Sequence, residues 1–430
     1  MSSKSGFKET EIGLIPKDWE LVNLNKICNI IMGQSPPSKF YNTEKEGLPF
    51  FQGRKDFGDK YPTVTMWCSE PKRIAEDADV LLSVRAPVGD INMAKERCCI
   101  GRGLSSVSMK NKNNEFLYYL IQYNKTRLKD IFESEGTVFG CITKKGLHDF
   151  EVAIPSENEQ LKISKILSHL DKKIELNQKM NQTLEKIGQS IFRHWFIDFE
   201  FPDAEGKPYK SNGGEMVDSE LGKIPKGWDI KPLDKIADFL NGLALQKFPP
   251  EGNNYLPVIK IRELKQGITD SCDKASTKID SKYIIDDGDV LFSWSGSLEV
   301  CIWCHGKGAL NQHLFKVTSS QWPKWFYYEW VKFHLMEFQR IAKEKATTMG
   351  HIKRQHLSEA LTVIPPKEIL EEMSKIMGPL IDKQVNNSIE TINLSRIRDS
   401  LLPRLMSGKI RVTENIAADK HPSETLGALE

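Results

Sequence analysis

Residues 157–196 read ENEQLKISKILSHLDKKIELNQKMNQTLEKIGQSIFRHWF. The stretch holds no proline and one glycine, Gly188. Ile163, Leu167, Leu170 and Ile174 follow at gaps of four, three and four, and apolar positions resume at Leu184 and Ile191. This spacing predicts one long helix with a narrow apolar seam. Asn177 and Asn181 fall on the same seam, where they either fix helix register as buried asparagines or sit as solvated polar positions in a loosely packed middle. Ser156, with Glu159 three residues on, has the pattern of a capping box at the helix start. Residues 367–402 have the same character. There Met373, Met377, Leu380, Leu394 and Leu401 each lie 210 residues after Ile163, Leu167, Leu170, Leu184 and Ile191.

That offset points to an internal repeat. Residues 11–27 (EIGLIPKDWELVNLNKI) and 220–236 (ELGKIPKGWDIKPLDKI) agree at nine of seventeen positions, Trp19/Trp228 and Pro16/Pro225 among them. Later landmarks also pair: Arg54 with Arg262, Asp79-Val80-Leu81 with Asp289-Val290-Leu291, Ser83 with Ser293, and Ile154-Pro155 with Ile364-Pro365. Framework positions agree while the stretches between them diverge. One scaffold therefore carries two different surfaces.

The expected fold class is α+β: two pseudo-twofold-related repeats, each a mixed α/β globular unit followed by a long helix. Residues 1–10 are polar and expected to be loose. The first globular unit spans 11–155, with strands at 79–84 and about 104–109 and a helix over 115–133. The first long helix covers 156–201, and a Gly-bearing linker covers 202–219. The second globular unit spans 220–366, with strands at 283–285 and 290–294 and a helix over 325–345. The second long helix covers 367–406, bent or ended by Pro403. The tail covers 407–430 and is expected to be disordered from about Thr413. The short connection favours antiparallel packing of the long helices as a coiled coil, because a parallel pair would stretch the linker near its limit. Such packing would put the globular units at opposite ends of a bundle about 60 Å long. That is a geometry for reading two unlike half-sites on duplex DNA.

The chain of 430 residues is 39% hydrophobic and 27% charged, which is ordinary for a soluble protein with several cores. The start, MSSKSGFKETEIG, lacks the apolar core of an export signal, so a cytoplasmic location is expected. The net charge is only +2, so any DNA-binding surface has to be local. Eight cysteines are expected to be reduced and mostly buried. Cys301-Ile-Trp-Cys304-His305 matches a c-type haem attachment pattern. That chemistry requires export, and the first copy has Ile91 opposite Cys301, so core cysteines are the expectation; a zinc site with Cys272 or His313 is the lesser alternative. The sequence carries no phosphate loop, no His-Glu-x-x-His and no paired Cys-x-x-Cys zinc site.

Candidate DNA contacts lie in loops near strand ends. In the first unit they are Lys39, Arg54, Lys55, Arg85, Arg102, Lys144 and Lys145. In the second they are Lys260, Arg262, Lys265, Ser295, Lys307, Gln312, His313, Lys353 and Arg354. Arginine can bond guanine bidentately and glutamine adenine, while lysine mostly meets phosphate. The glycine-hinged stretches 137–145 and 347–354 are basic in both copies and are favoured. Arg54 and Arg262 share a role in both copies, either a phosphate contact or a structural ion pair. Phe192, Trp195, Phe196, Phe199 and Phe201 form an aromatic cluster that could be a partner-docking surface or core packing.

These features together resemble the specificity subunit of type I restriction–modification systems. The resemblance covers about residues 9–412. It rests on EIGLIPKDWE and ELGKIPKGWD, the DVLLS and DVLFS strands, GALNQHLFKV, MGHIKRQHL, IPSENEQLKISKILSHLDKKIE, IFRHWFIDFEF and LLPRLMSGKIRV. The second long helix opens with KEILEEMSK and lacks the Glu159-Gln160 pair of the first. The resemblance implies that each globular unit is a target recognition domain, together reading a bipartite, asymmetric double-stranded DNA site. It implies long helices that set the spacer and dock two methyltransferase subunits, joined by restriction subunits. Catalysis would reside in those partners, which use S-adenosylmethionine, ATP and Mg, with no cofactor and no metal in this chain. The competing reading is a coiled-coil scaffold whose units bind proteins rather than DNA.

Overall fold

The computed structural model describes residues 6–134, 140–344 and 350–412. The chain divides into two units: unit 1 is Met1–Lys172 with Ser395–Glu430, and unit 2 is Lys173–Leu394. Both long helices, Glu157–Phe196 and Lys367–Met406, cross from one unit into the other.

Unit 1 is built on two larger sheets. The first has strands Ile91–Met93, Val80–Ser83, Leu104–Met109 and Cys28–Met32 in that order, all antiparallel. The second pairs Leu48–Phe51 with Cys98–Ile100 in parallel and adds three two-residue strands. Unit 2 repeats this plan. Its first sheet runs Asp238–Asn241, Leu314–Thr318, Val290–Ser293 and Val300–Ile302, and its second pairs Leu256–Ile259 with Gly308–Leu310 in parallel. Each domain closes on itself, because an early strand pairs with the last one: Glu20–Asn23 with Glu151–Ile154, and Asp229–Pro232 with Leu361–Ile364.

The repeated landmarks hold this framework. Val80–Ser83 and Val290–Ser293 are buried throughout, so their continuous apolar run suits strands covered on both faces. Asp79 and Asp289 each tie the turn before their strand, accepting from the Glu76 N–H at 2.9 Å and the Asp286 N–H at 2.8 Å. Ser83 and Ser293 pin the loop after it, accepting from the Asp90 N–H at 2.9 Å and the Glu299 N–H at 2.7 Å. Trp19 and Trp228 are buried behind matching turns.

Within each unit the long helices run antiparallel. In unit 1, Arg398 meets Asp171 at 2.9 Å and Arg411 meets Glu159 at 2.8 Å. In unit 2, the Asn177 amide donates to Glu390 at 2.9 Å, and the Asn181 amide donates to the Gln384 carbonyl and the Ser388 hydroxyl. The Asn387 amide donates to Asn181 Oδ1 at 2.9 Å. Asn177 and Asn387, counterparts in the repeat, are both fully buried. The seam asparagines therefore form an interhelical network rather than a solvated gap.

Several expectations need correction. Phe7–Thr10 is not loose but pairs with Gly13–Pro16 as a hairpin, and Met216–Ser219, expected in the linker, pairs with Gly222–Pro225. The first helix stops at Phe196, before 201, and the helix expected over 115–133 breaks at Asn124 into Asn114–Tyr123 and Lys125–Ser134. Pro403 does not end the second helix, which continues to Met406. It stands on the exposed face, where a carbonyl left without its N–H can meet water, while Leu402, Leu405 and Met406 are buried beside it. Of the expected tail, 407–412 is folded back through Arg411, which also grips Asp18. The capping box is only half made. The Glu159 N–H reaches Ser156 Oγ at 3.4 Å, but the Glu159 carboxylate accepts from Arg411 and Trp19 instead.

Candidate nucleic-acid interface

In each unit five loop segments meet at one end of the sheets. In unit 1 these are Gly33–Ser35, Gln52–Arg54, Val84–Arg85, Gly101–Gly103 and Gly140–Lys145. Their backbones lock together. The Gly33 N–H donates to the Leu104 carbonyl at 2.9 Å, Gln34 to Ile100 at 3.1 Å, Gly101 to Phe51 at 2.8 Å, and Val84 to Gly103 at 2.9 Å. Ile142 donates to Val84 at 2.9 Å, and Arg85 bridges Cys141. Unit 2 makes the same bonds. Gly242 donates to Leu314 at 3.1 Å, Leu243 to Leu310 at 3.0 Å, Asn311 to Ile259 at 3.2 Å, Trp294 to His313 at 3.4 Å and Ile352 to Trp294 at 3.0 Å. Ser295 bridges His351. The first glycine of each set is required by close approach: a Cβ on Gly33 would strike the Gly101 carbonyl oxygen, and one on Gly242 that of Asn311.

On this shared backbone the side chains differ. In unit 1, Arg102 is exposed between two glycines, and its N–H is held by Ser35 Oγ at 3.2 Å. Arg85, Lys55, Lys144 and Lys145 are exposed around it, and Lys39 is exposed on the short turn Ser38–Phe40 that follows Ser35. Thr143 caps the helix that begins at Lys144, accepting from the Gly146 N–H at 3.0 Å. Arg54 is tied down instead, at 2.7 Å from Asp90, whose other oxygen meets Lys125 at 2.5 Å.

In unit 2 the cluster is aromatic and imidazole-rich. The Trp294 indole N–H donates to Asn241 at 2.8 Å, and Trp294 lies 5.8 Å from the His313 ring. His313 Nδ1 lies 3.0 Å from Ser295 Oγ, and Gln312 stands beside it, part-exposed. Gln312 and His313 line a cleft of about 440 Å³ with Gln246, Lys260, Asp273 and Lys274.

Several predicted contacts are engaged elsewhere. Arg262 pairs with Glu263 at 2.7 Å, and that carboxylate raises the guanidinium pKa, so the arginine shared with Arg54 serves an ion pair in both copies. Lys260 pairs with Asp273, and Lys265 meets Glu299 at 2.9 Å. Ser295 is buried, and its hydroxyl holds His313 rather than facing outward. The Arg354 guanidinium donates to the Phe239 carbonyl at 3.1 Å and packs over Phe315. Lys353 is exposed at the start of Arg354–Glu359. Lys307 precedes the strand Gly308–Leu310, at the end away from Gln312. Of the favoured stretches, 137–139 and 347–349 lie outside the described residues. Sequence reasoning missed Gln52, Asn241, Trp294 and His351; adjacency to the DVLFS strand was the available signal for Trp294.

The aromatic cluster is not a docking surface. Phe192, Trp195, Phe196, Phe199 and Phe201 are all buried in the core of unit 2. Phe192 packs edge-on against Trp330 at 5.0 Å, and Phe201 lies 4.9 Å from Trp228. Of the cysteine motif, Cys304 is buried and Cys301 half-buried against the core. Desolvation pushes the Cys301 and Cys304 thiols up to about 12 and about 11. No cluster of metal-ligating side chains occurs among the described residues, and no helix there is long and apolar enough to cross a membrane.

The model of the type I restriction modification DNA specificity domain matches residues 16–186 and again 225–393. The chain belongs to that family. The two matches make it a chain of two DNA specificity domains, one per repeat. It is 30% identical to the MjaIX specificity subunit of Methanocaldococcus jannaschii, across 95% of this chain and 97% of the relative. It is 26% identical to the HindI specificity subunit of Haemophilus influenzae, across 69% and 77%. A crystal structure of the type I restriction-modification S subunit from M. genitalium shares the fold, with a TM-score of 0.60 at 14% identity, across 90% and 96% of the two chains.

Proposed function

We propose that each specificity domain reads one half of a split, asymmetric site on double-stranded DNA, through the loop cluster at the end of its sheets. The observation that carries this reading is the cluster itself: one set of backbone hydrogen bonds made twice, with different side chains placed on it. A shared frame with exchanged side chains suits two readers of unlike sequences. On this reading the long helices set the spacer and dock two methyltransferase subunits, and restriction subunits join that core. Adenine methylation with S-adenosylmethionine, and ATP- and Mg-dependent cleavage, belong to those partners; the chain itself needs no cofactor and acts by recognition.

The test is to co-express the chain with its candidate methyltransferase, size the complex and map methylated adenines on random-sequence DNA. The expected result is a complex with two methyltransferases that methylates one split sequence only when this chain is present. Stable partner binding with methylation independent of this chain would overturn the reading in favour of a scaffold.

A further inference from the structure

We propose that the residue at the tip of the turn between the parallel strand and the long sheet strand is a base-reading position in both domains. Arg102 takes a guanine in one half-site, and Gln312 takes an adenine in the other. The inference rests on the proposed DNA-reading role and deepens it.

Arg102 and Gln312 are counterparts at the 210-residue offset. Their backbones are held alike. Leu104 donates to the Gly101 carbonyl at 3.0 Å, and Leu314 to that of Asn311 at 3.0 Å. The residue before each tip is bonded to the parallel strand, Gly101 to Phe51 and Asn311 to Ile259. The residue after each tip receives the strand-end N–H of Val84 or Trp294. The N–H of the tip residue itself is also held, by Ser35 Oγ in one unit and the Leu243 carbonyl in the other. The main chain of the tip is therefore fixed in both units, and only the side chain is left to vary.

The Arg102 side chain does not serve the fold. It is exposed, and its guanidinium has no hydrogen-bonding partner among the described residues. Arg54 and Arg262 are committed to Asp90 and Glu263, and Arg354 to the Phe239 carbonyl. An arginine kept free on a rigid tip, whose flanking Gly101 and Gly103 pack against the Gln52 backbone, matches the bidentate fork that guanine O6 and N7 accept. Gln312 offers one donor and one acceptor, the pair that adenine N7 and N6 complement. Pre-set main chains lose little freedom on binding, so the discrimination resides in the side-chain pair itself.

The experiment is to map the methylated motif of the full complex with the chain as it is, and with Arg102→Gln, Arg102→Ala and Gln312→Arg. Arg102 is exposed, and Gln312 is half-buried with its amide 3.4 Å from His313 Nε2, so thermal melting of each variant is compared with the parent as the control for folding. The expected result for Arg102→Ala is loss of preference, roughly ten- to hundredfold, for one guanine in one half-site, with the other half-site unchanged. Arg102→Gln should move that preference toward adenine, and Gln312→Arg should move one adenine of the other half-site toward guanine. A uniform fall in methylation across all sequences, with a shallower salt dependence, would make Arg102 a phosphate contact and overturn the proposal. So would an unchanged motif. Both results leave the DNA-reading role standing, whereas a parent complex with no split motif would remove that role and the proposal together.

Discussion

The same place in the two units is filled with opposite chemistry. In unit 1 the long helix presents Asp171, buried, to the Tyr119 hydroxyl at 2.5 Å, the Arg398 guanidinium at 2.9 Å and Lys60 at 3.6 Å. At the 210-residue offset, Ile381 stands for Asp171, Glu329 for Tyr119 and Gly188 for Arg398. Unit 2 thus moves the carboxylate onto the domain helix and removes the arginine that would answer it. The Glu329 carboxylate lies 3.7 Å from where a Cβ on Gly188 would stand, and burial pushes its carboxyl up to about 7, against the pull of Lys332. The repeat conserves the docking of a domain helix on a long helix. It does not conserve what satisfies the contact, which is ion pairing in one copy and packing of an acid with a raised pKa in the other.

The largest expected effect comes from breaking the ionic version. Asp171→Ala strips Arg398 and Tyr119 of a buried acceptor and should cost unit 1 ~3–5 kcal/mol. Urea unfolding followed by amide exchange over 114–123 reads it, and an effect under 1 kcal/mol would mean that water replaces the carboxylate at no cost.

Next is the unpaired version. The folded pKa of Glu329 lies above its ordinary value of 4.5, so the native state holds the proton more tightly. Below pH 4.5 both states are protonated and nothing is lost; between 4.5 and about 7 the unfolded chain gives up the proton that the folded state keeps, so stability falls, and above about 7 both are ionised and the loss is complete. Glu329→Gln should therefore stabilise unit 2 by ~3 kcal/mol at pH 8 and by almost nothing at pH 4. An equal gain at both pH values would show that the effect is packing rather than ionisation.

The asparagine network sharpens the contrast. Asn387→Ala leaves Asn181 Oδ1 without its donor and should cost ~1–3 kcal/mol, readable as a lower denaturant midpoint for unit 2. The smallest effect is expected from Arg54→Ala. Its ion pair is exposed and Asp90 keeps Lys125, so the change should stay under ~1 kcal/mol by the same assay.

The sequence made the frame legible wherever the cause was local. Helical spacing over 367–402 marks the second long helix, which runs Lys367–Met406, and the repeated Trp, Asp and Ser landmarks mark buried or turn-holding positions in both units. It failed where a partner lies far along the chain. Glu159 looks like half of a capping box, yet Arg411, 252 residues on, claims its carboxylate. The aromatic run ending at Phe201 looks like a surface until Trp228 and Trp330 cover it. Among the candidate contacts, charge alone could not separate Arg54, held by an aspartate 36 residues away, from Arg102, which is left free.

If one frame is written twice to read two sequences, replacing residues 225–364 with 16–154 in the full chain should change the motif that the complex methylates. The expected motif is a split site whose two halves have become the same sequence. A motif unchanged from the parent, from a complex that still assembles and methylates, would contradict it.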